Sequence, residues 1–156
     1  MNLTNEYIRG LVEGEGCFTF HTTHKKTDGT RYKLPAFVIS LHIRDVHLLE
    51  KVRDKLGLKS KIYYRVPRVI IQNAKTGNKY LSGRQAILMA RDFEQLKDII
   101  IPFFYKKLNG YKGIQFMEWL EKIGTDPDVS DRFKSLYRLY KWGVYDKNSK
   151  FTQKFL

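Results

Sequence analysis

Apolar and polar residues follow two different periods along this chain, and the switches between them mark its elements. Tyr7, Ile8, Leu11 and Val12 recur at helical spacing, so a helix is expected over residues 4–14. Thr4 suits its N-cap, Leu3 and Ile8 a hydrophobic staple, and Glu6 the positive end of its dipole. Gly10 and Gly14 lie four apart on one side of that helix, where another backbone can approach closely. Gly16 is expected to end it in a left-handed conformation. Alternation then begins: a strand from residue 17 to about 23, a turn over 25–30, and a return strand from Arg31 to Ile43 with a break or bulge at Pro35.

A second helix is expected after Asp45 as cap, with Val46, Leu49, Val52 and Leu56 inward and Gly57 as its stop. Strands follow at 61–66 and 68–74, a turn at 75–78, a return strand near 79–81 and a short strand at 84–89. Asp92 caps a helix running to about residue 101, where Pro102 disturbs it. Two further helices are expected, at about 113–123 and 130–142. The order α-β-β-α-β-β-(β)-α followed by helices predicts an α+β fold: an antiparallel sheet with helices on one face and the other face free. No internal repeat, linker or low-complexity stretch divides residues 1–156, so a single domain is expected.

Charge narrows the function. Twenty-nine Lys and Arg against sixteen Asp and Glu give a net +13, which calls for an anionic partner, and nucleic acid is the commonest one. The basic residues are scattered rather than massed beside an apolar helix. No run of eighteen apolar residues occurs, and the start of the chain lacks a signal-peptide pattern, so no membrane partner is expected. The lone Cys17 excludes an internal disulfide and a multi-cysteine zinc site, and His21, His24, His42 and His47 lack metal-ligand helical spacing. A basic structural or ribosomal RNA-binding protein also accounts for the charge, but not for the glycine-spaced, acidic end of the first helix.

That helix ends in Glu13-Gly14-Glu15-Gly16. Acids at a helix C-terminus oppose its dipole, so two of them between glycines are hard to justify as plain surface. The stretch Ile8-Arg9-Gly10-Leu11-Val12-Glu13-Gly14-Glu15-Gly16 resembles the signature of LAGLIDADG homing endonucleases. Ile8 stands at its first Leu, Gly10 at its first Gly, Leu11 and Val12 at Leu-Ile, and Glu13 and Glu15 at its two Asp. Arg9 departs from the pattern, since a long cation fits only if it points away from the packed face.

The resemblance implies an antiparallel, saddle-like sheet for DNA with helices behind it, in an α-β-β-α-β-β-α core. It implies that the signature helices of two copies pack together through Ile8, Gly10, Leu11 and Gly14, because this chain carries the motif once. It implies that Glu15, with the Gly14 carbonyl, holds Mg²⁺ or another divalent cation such as Mn²⁺ between the scissile phosphates, with Glu13 in a structural or secondary electrostatic part.

The segment Pro102-Phe103-Phe104-Tyr105-Lys106-Lys107-Leu108-Asn109-Gly110-Tyr111-Lys112, then Phe116 and Trp119, is similar to a second stretch of the family. It places the family's catalytic-region lysine on Lys112, with Lys107 as the alternative. The run from Phe37 through Ser40, His42 and Arg44 is similar to the family's second strand and helix start. There His42 can position water, or be an ordinary strand-end histidine, and Arg44 can touch phosphate.

On the strands, Thr19, His21 and Thr23 are expected to face outward, Tyr63 with Arg65 and Arg68 with Gln72 to share faces, and Ser40 to join them at the DNA. Lys25, Lys26, Arg31, Lys33, Lys75 and Lys79 sit in or beside turns that can hold phosphates. The expected activity is Mg²⁺-dependent cleavage of both strands of a long pseudopalindromic double-stranded DNA target by a homodimer, in intron homing. An intron RNA maturase acting on its own intron, or a non-cleaving DNA-binding protein of the same fold, is the alternative. The resemblance alone points to an organelle (mitochondrion or chloroplast) or a microbial cytoplasm.

Overall fold

The computed structural model describes residues 2–67, 69–73, 75–81, 83–146 and 149–155. The Thr4 hydroxyl accepts from the Tyr7 N–H at 3.0 Å and starts α1, Asn5–Glu15. The chain passes with no intervening residue into β1, Gly16–Lys25, then β2, Arg31–His42, a 3₁₀ turn over Ile43–Asp45, and α2, Val46–Leu56. Asp45 makes no side-chain cap; the 3₁₀ turn delivers the chain into α2 instead. Gly57 ends α2 at φ 77, with its own N–H on the Asp54 carbonyl and the Leu58 N–H on the Arg53 carbonyl.

Next come β3 (Ile62–Arg65), β4 (Val69–Asn73), β5 (Asn78–Leu81) and β6 (Gln85–Ala90). The remaining helices are α3 (Phe93–Gln95), α4 (Ile101–Phe104), α5 (Tyr111–Thr125) and α6 (Asp131–Lys141). A π-helical turn over Leu96–Ile100 joins α3 to α4. Pro102 therefore does not stop the helix, which continues to Phe104: the wider turn ahead of it accommodates the ring and the missing N–H.

The strands form two sheets. One is antiparallel in the order β1-β2-β6-β3, and β4 and β5 form a separate hairpin. Pro35 causes no break in β2, where it pairs with Phe20; the irregularity lies later, between Thr22 and Lys25. Because β6 pairs only with residues 37–42, Pro35 has one neighbouring strand instead of two, where a residue without an N–H is tolerated.

One side of the four-stranded sheet carries Phe18, Phe37, Ile39, Leu41, Ala86, Leu88 and Ala90, all buried against the helices. Phe18 lies at the centre, with ring centroids of Phe37, Phe104, Phe116 and Trp119 at 4.9–5.6 Å. Each fully buried side chain of this size contributes roughly 1.5–3 kcal/mol. Phe18 is two residues beyond Gly16, so this aromatic cluster fixes the point where helix becomes strand. Trp119 reinforces it by donating Nε1–H to the Thr19 carbonyl at 2.8 Å.

Candidate catalytic site and nucleic-acid interface

At the end of α1, Gly16 is a glycine for want of space. Its backbone is extended, φ −84 and ψ 160, not left-handed as expected from the sequence. A Cβ there would lie 2.5 Å from Val12 Cγ1 and 2.8 Å from the Val12 carbonyl oxygen, which already accepts the Gly16 N–H. The helix can meet the strand this abruptly only without a side chain at that position.

The two acids of this end have different surroundings. Glu13 Oε1 accepts the backbone N–H groups of Asn109 and Gly110, both at 2.6 Å. Gly110 is the N-cap of α5, and no side chain of its own segment caps that helix. An acid that opposes the dipole of α1 thus sits at the positive end of α5. Glu15 is exposed, and among the described residues no hydrogen bond or ion pair engages its carboxylate. Beside it, Lys112 Nζ donates to the Gly16 carbonyl at 2.5 Å. Lys107 is exposed and lines a different concavity, with Arg9, Tyr105, Asp146 and Phe155. Lys112, and not Lys107, is brought to the end of α1.

The outward side of α1 carries exposed Tyr7, Gly10 and Gly14 and half-buried Leu11. Among the described residues, and apart from the helix's own backbone, nothing lies within 4 Å of where a Cβ would stand at Gly10 or Gly14. Ile8 does not belong to this side: it is fully buried beside Val12 in the chain's own core, because the apolar stripe of α1 splits between two faces. Arg9 points away from the glycines. Its Nε donates to the Phe103 carbonyl at 3.1 Å and Nη2 to the Phe155 carbonyl at 3.2 Å, with the guanidinium 4.5 Å from the Phe103 ring centroid. Burial lowers its pKa, against the opposing effect of Glu6. Arg9 thereby ties the C-terminal segment to α1.

The sheet face opposite the core is defined by register. Thr19 pairs with Ala36, His21 with Leu34, Ser40 with Ile87, His42 with Gln85, Tyr63 with Ile87 and Arg65 with Gln85, in alternation with the core-facing positions, although Ala36 and Ile87 are buried and Leu34 packs against the core. Gln85, which no sequence motif singles out, joins three strands on this face: its Oε1 accepts from Ser40 Oγ at 3.0 Å and from Arg65 Nη1 at 3.3 Å. Its only sequence signal is alternation with Ile87 and Met89, which means nothing until the register of β6 is known. The ring Nδ1 of His42 accepts the Arg44 N–H at 3.1 Å, and Arg44 is exposed.

The basic turns divide. Arg31 is exposed, with Nη1 on the Thr23 carbonyl at 2.9 Å, while the Thr23 hydroxyl reaches the Tyr32 carbonyl at 3.4 Å. Lys25, Lys75 and Lys79 are exposed. Lys26 and Lys33 are paired within the protein. Lys26 Nζ is 3.0 Å from Asp128 Oδ1 and lies over the Tyr32 ring, and Lys33 Nζ is 2.8 Å from Asp126 Oδ2. Alternation turns Lys33 to the helix side, where the α5–α6 loop meets the β1–β2 hairpin. Arg68 lies outside the described residues, as does the side chain of Gln72.

The family model for LAGLIDADG endonucleases matches residues 8–123, from the signature helix to the last buried turn of α5. The chain belongs to the LAGLIDADG endonuclease family. Its fold is that of solved LAGLIDADG homing endonucleases. It is 23% identical to the homing endonuclease I-TnaI, with a TM-score of 0.57 over 93% of this chain and 79% of that one. It is 17% identical to the meganuclease I-CpaMI bound to uncleaved DNA, TM-score 0.60, covering 93% of this chain and 45% of that one. It is 21% identical to I-SmaMI, solved on an uncleaved DNA target in the presence of calcium ions, TM-score 0.56, covering 90% and 44%. The chain thus spans less than half the length of the last two.

Proposed function

We propose that this LAGLIDADG chain is a homodimeric, site-specific DNA endonuclease of intron homing that cuts both strands of a long pseudopalindromic target. The observation that carries this reading is the pairing at the end of α1: a carboxylate, Glu15, with no protein partner among the described residues, next to Lys112 and beside an open glycine face. An acid held toward a polyanion repels it unless a cation intervenes, so a pure DNA binder gains nothing from Glu15.

The donor chemistry fits a hard cation such as Mg²⁺ or Mn²⁺, which takes carboxylate and carbonyl oxygens. Glu15 and the Gly14 carbonyl would hold it. Among the described residues no group of three or more His, Cys, Asp or Glu gathers in one copy, in keeping with a site shared between two copies and the DNA phosphates. When bound, the cation supplies Lewis-acid chemistry at the scissile phosphate. The protein's own groups do the rest. Tyr7, Gly10, Leu11 and Gly14 pack two signature helices together and set the two Glu15 carboxylates side by side. Lys112 leaves the Gly16 carbonyl to stabilise the charge that develops on the phosphate oxygens. His42 orients the attacking water. Ser40, Arg65 and Gln85 read base edges while Lys25, Arg31, Arg44 and Lys79 hold phosphates.

Selection from a randomised DNA library with Mg²⁺, scored for cut products, tests the reading. Twofold-symmetric targets cut on both strands are expected. Enrichment of bound but uncut DNA, or of intron RNA, would favour a non-cleaving binder or a maturase.

A further inference from the structure

Glu13 is separated from Glu15 by one residue, yet its carboxylate faces the other way, into the loop that starts α5. One oxygen, Oε1, takes both the Asn109 and the Gly110 N–H at 2.6 Å. These are charge-assisted bonds, roughly twice as strong as neutral ones. Lys112 is the second residue of α5, two beyond Gly110, and it reaches back to the Gly16 carbonyl. The contacts close a ring: Glu13 to the α5 N-cap, the first two residues of α5 to Lys112, Lys112 to Gly16, and residues 14–15 back to Glu13. Glu15 is the one charged group of that ring with its head group unengaged.

A lysine in the first turn of a helix sits at the positive end of the dipole, which disfavours it there. Leu108 anchors the approach to α5 in the core, but the N-cap residue Gly110 makes no side-chain cap, and Tyr111 is exposed. The carboxylate of Glu13 supplies both the cap and the compensating negative charge.

We propose that Glu13 is a positioning residue for the cleavage reaction: by capping α5 from α1, it fixes Lys112 in register with Glu15. The inference rests on the endonuclease reading for its effect on rate, but not for its effect on Lys112. Without Glu13 the first turn of α5 frays, and Lys112 no longer faces the end of α1, while the sheet that binds DNA is untouched.

Full-length protein carrying Glu13→Ala or Glu13→Gln provides the test, with two readouts. The first needs no DNA: acylation of Lys112 by an N-hydroxysuccinimide ester, followed by mass spectrometry. Lys112 should react at least about fivefold faster in Glu13→Ala than in the parent, and at an intermediate rate in Glu13→Gln, whose amide oxygen still accepts both N–H groups but carries no charge. Equal Lys112 reactivity in Glu13→Ala and the parent would overturn the proposal, whatever the protein does to DNA. The second is single-turnover cleavage of a selected target in Mg²⁺. Glu13→Ala should slow it at least tenfold with the DNA Kd unchanged within about twofold, Glu13→Gln should fall between Glu13→Ala and the parent, and Glu13→Ala should cost less than twofold when added to Lys112→Ala. A full additive loss in the Lys112→Ala background would refute the positioning role. A parent that cuts no DNA would count against the endonuclease reading alone, because the acylation readout decides the inference independently.

Discussion

Lys112 Nζ donates to the carbonyl of Gly16 at 2.5 Å, across 96 positions of sequence. This one bond brings the second family-like segment to the end of the signature helix and separates Lys112 from Lys107 by place. Lys112→Ala is expected to slow single-turnover cleavage about 10²–10³-fold, the range for removing one group that stabilises transition-state charge, with little change in DNA affinity. Lys107→Ala should stay within a few-fold of the parent, because Lys107 opens onto the Arg9–Asp146 concavity. The reverse order of effects in quenched-flow assays would mean that Lys107 is the catalytic lysine.

The glycines of the signature have two different surroundings, and alanine or leucine tells them apart. Gly16→Ala places a methyl against Val12 and should destabilise the fold by about 1–3 kcal/mol, read from the urea midpoint. Gly10→Leu meets open space and raises helix propensity, so the midpoint should hold or rise. The same change should abolish the dimer in sedimentation. A Gly10→Leu protein that remains dimeric would place the subunit contact elsewhere.

Many of the elements are readable in the sequence. They follow from period switches, and Thr4 and Gly57 behave as a cap and a stop do. The features that are not readable depend on residues far apart. Pro35 is tolerated because β6 stops short of it, and Pro102 because a π turn precedes it. Gly16 is expected to be left-handed, but the clash with Val12 explains it. The apolar stripe of α1 suggests one buried face; Ile8 and Val12 turn inward while Gly10 and Gly14 stay open. Lys26 and Lys33 look like phosphate ligands until the α5–α6 loop brings Asp128 and Asp126 to them. Gln85 carries no motif at all.

The Lys33–Asp126 pair gives the fold a pH signature. Hydrogen bonding from Lys33 is the main cause that lowers the Asp126 pKa, and the same bond raises that of Lys33. A carboxyl lowered in the folded state contributes stability that is present above its unfolded value and lost as pH falls through the folded one. The loss should therefore appear below about pH 4. The Lys33 contribution is present below its unfolded value and lost as pH rises through the folded one, above about pH 10.4. In thermal melts between pH 2 and 6, Asp126→Asn should start less stable than the parent at pH 6 and fall less steeply on the acid side.

Phosphate contacts show in salt dependence. Lys25→Ala and Lys79→Ala should each flatten the slope of log K against log salt by about 1.8, the contribution of two phosphates on B-DNA, one for each protomer of the proposed dimer. Lys33→Ala should leave that slope unchanged while lowering the melting temperature, because its charge already faces Asp126. A loss of slope in Lys33→Ala would return it to the DNA surface.

The proposed chemistry turns on Glu15, and Glu15→Gln probes it at a single group. With a target selected by the parent protein and Mg²⁺ present, the variant should bind that DNA as a dimer with affinity equal to or above the parent's and cut neither strand. Cleavage of both strands by Glu15→Gln at the parental rate would contradict the assignment of this carboxylate to the cation, and with it the proposed mechanism.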